Sequence, residues 1–533
     1  MPIVQINSEF FNNDAQTNFN SNTHANPGLN IYETTVCANN ILFEGIRGTG
    51  KTHILKMLRE ESLRSFQQNR ILPVYISLAK LSEYETMEED TFRIHLYTNI
   101  VKSAFDMILS YIDIIEKADD PLNLKILRLD TPIWELFQNR PIIEVIQEIN
   151  SLLEQLNTEL LSTEAKVEEK SEKNANAEAS AWKLKLAIGN QYSKQIEYMM
   201  ARLSHNNASR YIIEFFKGLH EILNLNYSLI LLDEISGVSD KAQTEAFRLL
   251  RLIRASTETK EGRNFLYFMG SVYPPQKTSY PSRALGYDFD FIPGEDCSME
   301  YLEMDVLHEE YEVFFRFITE KRLIALHPES KGDILWLFDD EKTFLLAAFA
   351  ANGLPRRYFE IVKIAYNIAS KKYSSSEKVE KIDYASISSA IQTLVDSQTL
   401  NESQLTNKDF NYLEKILIPR LTSRNLGAET RNESRDDASK LPVHLFLSIS
   451  RQDRNKLANL IYRGVIHNLS RTRKSRSTNT DGEIKGIMMM LDLAVAFNYR
   501  VFNVQNAVNY FQNDLRDNAK RGYLYYSDIS LPE

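Results

Sequence analysis

A glycine-rich segment between an apolar stretch and a helical one constrains the fold of this 533-residue chain more than any other feature. Residues 45–52 read Gly-Ile-Arg-Gly-Thr-Gly-Lys-Thr and match the pattern G-x-x-x-x-G-K-[ST] at every position. The apolar stretch 37–43 predicts a strand, and the spacing of apolar residues after the loop predicts a helix. Strand, loop and helix in this order are the context of a phosphate-binding loop.

The residues of this loop have the chemistry that a bound phosphate requires. Glycines allow backbone N–H groups to close around phosphate oxygens, Lys51 brings a positive charge to the β- and γ-phosphates, and Thr52 offers a hydroxyl to Mg²⁺. We therefore expect a nucleotide site that uses Mg²⁺. Its candidate binding residues are Gly45, Arg47, Gly48, Thr49, Gly50, Lys51, Thr52 and His53.

A second apolar strand ends in two carboxylates. The run 229–234 reads Leu-Ile-Leu-Leu-Asp-Glu, which places Asp233 at a strand end, where it would hold the Mg²⁺ shell. The adjacent Glu234 is placed to polarise the attacking water as a general base. The alternatives are a turn residue that simply ends the strand at Asp233 and a carboxylate without a catalytic function at Glu234.

Strands that alternate with helices predict an α/β fold. Further apolar strands are predicted over 71–78, 265–271 and, in a shorter form, 301–307, which gives a parallel sheet flanked by helices. Residues 92–223 are predominantly helical, and 164–181 have the composition of a mobile surface excursion. One helix has apolar residues at spacings of three and four, which fits either a helix packed on its own domain or a projecting coiled-coil arm. These residues are Ile142, Ile146, Ile149, Leu153, Leu156 and Leu160.

Composition narrows the class of protein. Two cysteines, Cys37 and Cys297, exclude a disulfide framework, and nine scattered histidines without ligand spacing do not indicate a transition-metal site. No apolar run is long enough to span a membrane and the N-terminus lacks a secretory signal, so we expect a cytoplasmic protein. The net charge of −10 disfavours a surface covered with basic groups for nonspecific nucleic-acid binding, but it allows a local basic patch.

With these motifs the chain resembles the AAA+ superfamily and, more narrowly, the ORC-type ATPases, which include origin-recognition and replication-initiator proteins and their bacterial relatives. The phosphate loop and the Asp-Glu pair support the resemblance, and Ser271 stands where such proteins place a polar sensor 1 residue. Residues 353–357, Gly-Leu-Pro-Arg-Arg, look like the Gly-x-Pro-Arg sensor 2 signature. The resemblance implies an Mg²⁺-dependent ATPase with the catalytic residues Lys51, Asp233, Glu234, Ser271, Arg283 and Arg356.

Two of these arginines receive their roles from the resemblance alone. Arg356 would reach over the γ-phosphate and report the nucleotide state to the lid, with Arg357 as the second choice. The alternative is an arginine pair that only solvates the start of a helix. Arg283 is the candidate for the arginine that AAA+ rings insert into the neighbouring subunit's site, which implies a homo-oligomer.

The C-terminal part of the chain has a basic segment between a predicted helix and a predicted strand. ORC-type proteins have a winged-helix domain after the lid, and the predicted helix over 457–467, basic segment 471–476 and strand from Ile487 follow its order. Double-stranded DNA would then be bound through residues 457–476. A solvated basic loop or a winged helix that docks protein is equally consistent. The basic residues are Arg471, Arg473, Lys474 and Arg476.

The sequence therefore predicts four parts and a function for the whole. The parts are an extended leader (1–35), an ATPase domain with a helical insertion at 92–223 (36–308), a helical lid (309–373) and a mainly helical region with a winged helix (378–533). We expect an ATPase that binds and hydrolyses ATP and couples the Mg-ATP cycle to oligomer assembly and action on DNA. The alternative is an ATP-gated switch or scaffold with slow hydrolysis, which acts on a partner effector protein through the helical insertion, as in anti-phage defence or mobile-element systems.

Overall fold

The computed structural model describes residues 4–11, 15, 19–23, 33–34, 38–84, 89–117, 142–161, 205–256, 262, 264–275, 277–373, 380–432, 445–474, 484–503, 507–515, 527–529 and 531. The chain forms two compact units. The sheet unit comprises Leu29–Glu44 and Lys51–Tyr301, and the C-terminal unit comprises Met1–Gly28, Gly45–Gly50 and Leu302–Glu533. The boundary passes through the glycine-rich motif, because its loop belongs to the C-terminal unit and the helix that follows belongs to the sheet unit.

The described residues of the sheet unit form a five-stranded parallel sheet in the order β2-β3-β4-β1-β5. The predicted parallel α/β class is confirmed. Strand β3 is buried along its whole length, as expected for the interior of a parallel sheet covered on both faces. The strands are β1 (Ile41–Glu44), β2 (Ile71–Ser77), β3 (Tyr227–Asp233), β4 (Leu266–Val272) and β5 (Ser298–Tyr301).

The fifth strand lies earlier in the chain than the sequence predicts. Residues 298–301 pair with β1, whereas the predicted strand over 301–307 is wrong beyond its first residue. Val306 instead packs into the hydrophobic core of the C-terminal unit. Hydrophobicity alone does not distinguish a short strand from an irregular segment that buries its apolar side chains elsewhere.

Helices cover the sheet, and the apolar seam lies in the core of the same unit. The described part of the seam, Ile149, Leu153 and Leu156, is buried in that core, so this helix packs on its own unit there. The side chains of Ile142, Ile146 and Leu160, and the whole segment 164–181, lie outside the described residues. The helices are α1 (Lys51–Arg64), α2 (Phe66–Asn69), α3 (Glu89–Lys117), α4 (Ile142–Leu161), α5 (His205–Ile222) and α6 (Asp240–Ser256).

The C-terminal unit is mostly helical, as predicted, and residues from the N-terminal leader are part of its core. Phe10 and Phe11 are buried there, and the Arg322 guanidinium donates to the Phe10 carbonyl at 2.5 Å. The described part of the leader is therefore packed in place, in contrast to the extended leader that its polar composition predicts. The helices of the C-terminal unit are α7 (Tyr311–Leu326), α8 (Glu341–Ala350), α9 (Pro355–Lys372), α10 (Tyr384–Leu394), α11 (Asn407–Phe410), α12 (Ile418–Asn432), α13 (Arg451–Arg454), α14 (Ala458–Tyr462), α15 (Leu493–Asn498) and α16 (Ala507–Asn509).

Among its described residues the C-terminal unit also has a four-stranded sheet in the order β7-β8-β6-β9. The predicted helix over 457–467 is wrong at its C-terminal end, because α14 ends at Tyr462 and Gly464 adopts a φ of +67°. That left-handed conformation ends the helix and turns the chain into β7. The strands are β6 (Phe446–Ile449), β7 (Ile466–Lys474), β8 (Ile484–Leu491) and β9 (Ser527–Ile529).

Candidate functional site

The glycine-rich loop has a backbone that requires its glycines. Gly48 and Gly50 have φ values of +99° and +93°, a conformation that L-residues rarely adopt. A Cβ on Gly45 would lie 2.5 Å from the Thr49 hydroxyl, which donates to the Ile46 carbonyl at 3.1 Å. The loop then leads directly into α1, so successive backbone N–H groups and a helix N-terminus follow one another, which is the arrangement that binds phosphate.

The start of α1 adds the charged and polar groups of the motif. Lys51, Thr52 and His53 form its first turn, which contains no acidic residue. The Lys51 ammonium lies 4.4 Å from the centre of the Tyr273 ring, just after β4. Sequence reasoning missed Tyr273, because a tyrosine after a strand has no pattern that links it to a lysine more than two hundred residues earlier.

Asp233 is a buried carboxylate whose oxygens receive two hydroxyl hydrogen bonds. The Ser271 hydroxyl donates to Oδ1 at 2.6 Å, and the Tyr75 hydroxyl donates to Oδ2 at 2.8 Å. β4 lies beside β3 and β2 on its other side, so both donors come from neighbouring strands. Burial, followed by the negative charge of Asp233, raises the pKa of Tyr75, which keeps its phenol protonated as a donor. The two hydroxyl donors thus hold the carboxylate in one orientation.

Glu234 has a left-handed backbone conformation and a side chain that accepts a hydrogen bond. Its φ of 61° and ψ of 37° lie in the left-handed region, which costs a non-glycine residue about 1 kcal/mol or more. Its N–H donates to the Ser271 hydroxyl at 2.8 Å and to Asp233 Oδ1 at 3.0 Å. The Ser77 hydroxyl donates to Glu234 Oε2 at 3.0 Å. Strain of this kind is typical of functional sites, where surrounding contacts maintain it.

Sequence reasoning missed Tyr75 and Ser77, although both lie near the end of the same strand. They are two residues apart on β2, so they point to the same face, and β2 pairs with β3 such that Ser77 lies opposite Asp233. A hydroxyl-bearing residue at every second position near the end of an apolar strand was the available signal. The order of strands in the sheet was needed to interpret it.

The predicted sensor 1 residue, Ser271, is fully buried at the end of β4. Its hydroxyl is used within the protein, between Asp233 and the backbone of Glu234. The structure therefore brings Ser271 together with the two carboxylates. Its role as a nucleotide sensor stays a prediction.

The two arginines of the sensor 2 signature have different surroundings. α9 begins at Pro355, and the Arg356 N–H donates to the Gly48 carbonyl of the phosphate loop at 3.3 Å. A Cβ on Gly48 would lie 3.1 Å from the Cβ of Arg356. Arg357 is buried and forms an ion pair with Asp492. The geometry thus favours Arg356 over Arg357 for a nucleotide contact, and the sensor role itself stays a prediction.

Arg283, the candidate arginine for a neighbouring subunit, lies on the surface of the sheet unit. Its side chain is 70% exposed and its Nε lies 3.7 Å from an Asp290 carboxylate oxygen. It begins a one-turn helix, Arg283–Leu285, whose Leu285 is also exposed. An exposed position is what an insertion in trans requires, but the assignment stays a prediction.

The basic segment continues an antiparallel hairpin. Arg471, Arg473 and Lys474 lie on β7, which pairs with β8 as far as Lys474. Arg476 lies outside the described residues. Helix, strand and strand follow in the order that the winged-helix prediction requires, and that prediction stays open.

The residues at the sheet edge fit a nucleotide and Mg²⁺. The hard cation prefers oxygen ligands, and this edge offers the Thr52 hydroxyl at the start of α1 and the oriented Asp233 carboxylate.

In the part of the chain that the structure describes, no helix is both long and apolar enough to cross a membrane.

Comparison with known proteins points to one family. Curated proteins gave no match. Among solved structures, the Aeropyrum pernix ORC1 protein in complex with DNA is 13% identical, with a TM-score of 0.31 over 88% of this chain and 89% of that one. The Aeropyrum pernix ORC2 protein (ADPNP-ADP complexes) is also 13% identical, with a TM-score of 0.33 over 94% and 98%. Residues 26–207 match the ORC-CDC6-like family, and over these residues the match confirms the resemblance to ORC-type proteins that the motifs indicated.

Proposed function

We propose that this protein is an ATPase that binds Mg-ATP at the carboxyl edge of its parallel sheet and hydrolyses it. The main supporting observation is that Asp233 and Glu234 stand at the end of β3, on the edge where β1 ends and the phosphate loop begins. In open parallel sheets, ligands bind outside the carboxyl ends of the strands. The ORC-CDC6-like match over 26–207 supports the same assignment.

Each residue of the motif has a defined task in this proposal. Thr52 and Asp233 would hold Mg²⁺, which when bound neutralises charge on the phosphates. Lys51 binds the β- and γ-phosphates as a point charge. Glu234 accepts the proton of the water that attacks the γ-phosphorus, while the bond from that phosphorus to the bridging oxygen breaks.

Two arginines and a second subunit complete the proposed cycle. Arg356 contacts the γ-phosphate and links the nucleotide state to α9, and Arg283 enters the site of a neighbouring copy in a homo-oligomer. The backbone contact of Arg356 with Gly48 and the exposure of Arg283 support these roles. Hydrolysis should then rise more than linearly with protein concentration as subunits assemble.

Action on double-stranded DNA is the second part of the proposal. The basic segment on β7 supports it, since arginine and lysine contact phosphates without reading sequence. The test is DNA retention at a stated salt concentration after Arg471, Arg473, Lys474 and Arg476 are changed to Gln. The control changes four exposed basic residues of the same unit to Gln. These are Lys371, Lys408, Lys415 and Arg420.

The direct experiment is steady-state phosphate release from ATP across a range of protein concentrations, with and without double-stranded DNA. We expect DNA to accelerate ATP turnover by the wild-type protein. It should not accelerate turnover by the variant with the changed basic segment. Absence of ATP binding by the wild-type protein would contradict the whole proposal. Turnover that is indifferent to DNA would contradict its second part only.

A second candidate function is an ATP-gated switch or scaffold that acts on a partner effector protein. The contact of Ser77 with Glu234 favours it, because a general base held by another group must first be released, which suits a slow timer. The helices at 89–117, 142–161 and 205–222 belong to the region of the predicted insertion, which is the proposed partner surface. Slow turnover without a DNA response would favour this candidate.

A further inference from the structure

A chain of four charged side chains runs through the C-terminal unit and ends at the phosphate loop. Its members are Glu303, His467, Asp492 and Arg357, and the last three are buried. Their formal charges alternate in sign along the chain. Alternation of this kind allows charged groups to be buried together, because each has an opposite charge beside it.

The loop end of this chain is a backbone hydrogen bond. The Ile46 N–H, in the second position of the phosphate loop, donates to Glu303 Oε1 at 3.3 Å. The other carboxylate oxygen, Oε2, lies 3.6 Å from His467 Nδ1. One carboxylate thus connects the loop backbone with β7, on which His467 lies.

The other end of the chain is anchored in the C-terminal sheet. His467 Nε2 lies 3.0 Å from Asp492 Oδ2, and the same oxygen accepts from Arg357. Asp492 Oδ1 accepts from Ala494 N–H at 3.0 Å and Val495 N–H at 3.1 Å, which caps α15. Asp492 therefore cannot turn away from His467 without exposing the start of a helix.

The charge states of the two central groups suit these contacts. Burial alone would lower the pKa of His467, but its hydrogen bond with Asp492 and the nearby carboxylate of Glu303 outweigh burial and raise the pKa to about 9. Burial would raise the pKa of Asp492, but the charge of Arg357 and the hydrogen bond from His467 lower it. At neutral pH His467 is thus an imidazolium between two carboxylates, with a proton on each ring nitrogen.

A second contact joins the loop to the same hairpin. Gly464, two residues before β7, has a φ of +67°, and a Cβ there would lie 3.0 Å from Ile46 Cδ1 and 3.3 Å from Arg357 Nη2. Arg357 Nη2 also donates to the Gly464 carbonyl at 3.4 Å. Its neighbour Arg356 donates its N–H to Gly48. The phosphate loop is thus held at both Ile46 and Gly48 by residues of the C-terminal unit.

We propose that Glu303 and His467 are positioning residues that hold the phosphate loop in its binding conformation, so that the β7–β8 hairpin influences nucleotide affinity through them. The influence of the hairpin on nucleotide affinity rests on the proposed ATP site. The positioning role does not, because the hydrogen bond from Ile46 to Glu303 is made within the chain itself.

Hydrogen exchange of the nucleotide-free protein directly tests whether Glu303 and His467 hold the phosphate loop. We expect Glu303→Ala to speed exchange of the Ile46 amide by roughly 2- to 10-fold and to raise the Kd for ATP by a similar factor, as for loss of one hydrogen bond. Glu303→Gln should restore much of both, because its amide oxygen can accept from Ile46. Glu309→Ala, which changes an exposed acidic residue of the same unit, should alter neither.

The role of His467 is tested by a double-mutant cycle. His467→Gln should speed exchange at Ile46, but it should add little in the Glu303→Ala background, because the two act in series. Unchanged Ile46 exchange in Glu303→Ala overturns the proposal, and so does equal acceleration throughout α8, which would mark a general loss of stability. Wild-type protein that does not bind ATP, with the expected exchange results, would contradict the proposed function and leave the positioning role supported.

Discussion

Replacement of Gly353 by alanine should destabilise the C-terminal unit and disturb the start of α9. Gly353 has a φ of +82°, and a Cβ there would lie 2.3 Å from the carbonyl oxygen of Met304. The left-handed conformation costs alanine about 1–2 kcal/mol. The overlap is with backbone, which cannot rotate away, and forced repacking adds about 1–3 kcal/mol. We therefore expect Gly353→Ala to lower the free energy of unfolding by about 2–5 kcal/mol.

Gly332 is a matched control in the same unit. Its φ is +80°, but a Cβ there would meet the Ile324 side chain at 3.1 Å, and that side chain is exposed and can move. Gly332→Ala should therefore cost only the backbone component, about 1–2 kcal/mol. Urea unfolding followed by far-UV circular dichroism measures both variants. A Gly353→Ala variant no less stable than Gly332→Ala would refute the reasoning from the Met304 contact.

Three further predictions concern side chains around the site and the loop. Tyr75→Phe removes one donor to the buried Asp233 carboxylate and should lower the free energy of unfolding by about 1.5–3 kcal/mol in urea titrations; no change would show that the bond is replaced. Ser77→Ala releases the Glu234 carboxylate and should raise basal phosphate release by roughly 2- to 10-fold, whereas a fall would mean that Ser77 aligns the base. Because folding raises the pKa of His467 to about 9, from about 6.5 when unfolded, its stabilisation is complete below pH 6.5 and is lost as pH rises through 9. Urea titrations from pH 6 to 9.5 should show a steeper decline for wild type than for His467→Gln, and equal slopes would contradict the assignment.

The loop and the strand that ends in Asp233 could be predicted because their signals are local. The glycine spacing, the lysine and threonine, and the apolar run before the two carboxylates each lie within a few consecutive residues. The parallel sheet followed from the alternation of apolar strands with helices. These features depend on short-range sequence, so one sequence is sufficient to find them.

The partners of these motifs could not be predicted, because they depend on strand order and long-range packing. Tyr75 contacts Asp233 across 158 positions, and the contact exists only because β2 lies beside β3. His467 reaches Glu303 because a hairpin of the C-terminal sheet lies beside the phosphate loop. The burial of Phe10 could not be predicted either, because two phenylalanines in a polar segment give no periodic pattern. Hydroxyls and histidines in apolar strands are common in ordinary cores, so sequence alone gave no reason to select them.

The most direct test of the central claim separates ATP binding from ATP hydrolysis at Glu234. Equilibrium binding of ATP with Mg²⁺ and steady-state phosphate release should be measured for wild type and for Glu234→Gln, which keeps the size of the side chain and removes its basicity. We predict an unchanged Kd and a loss of turnover of about 10²- to 10⁴-fold, the usual contribution of a general base. Turnover equal to that of wild type would contradict the assignment of Glu234 and the proposed mechanism.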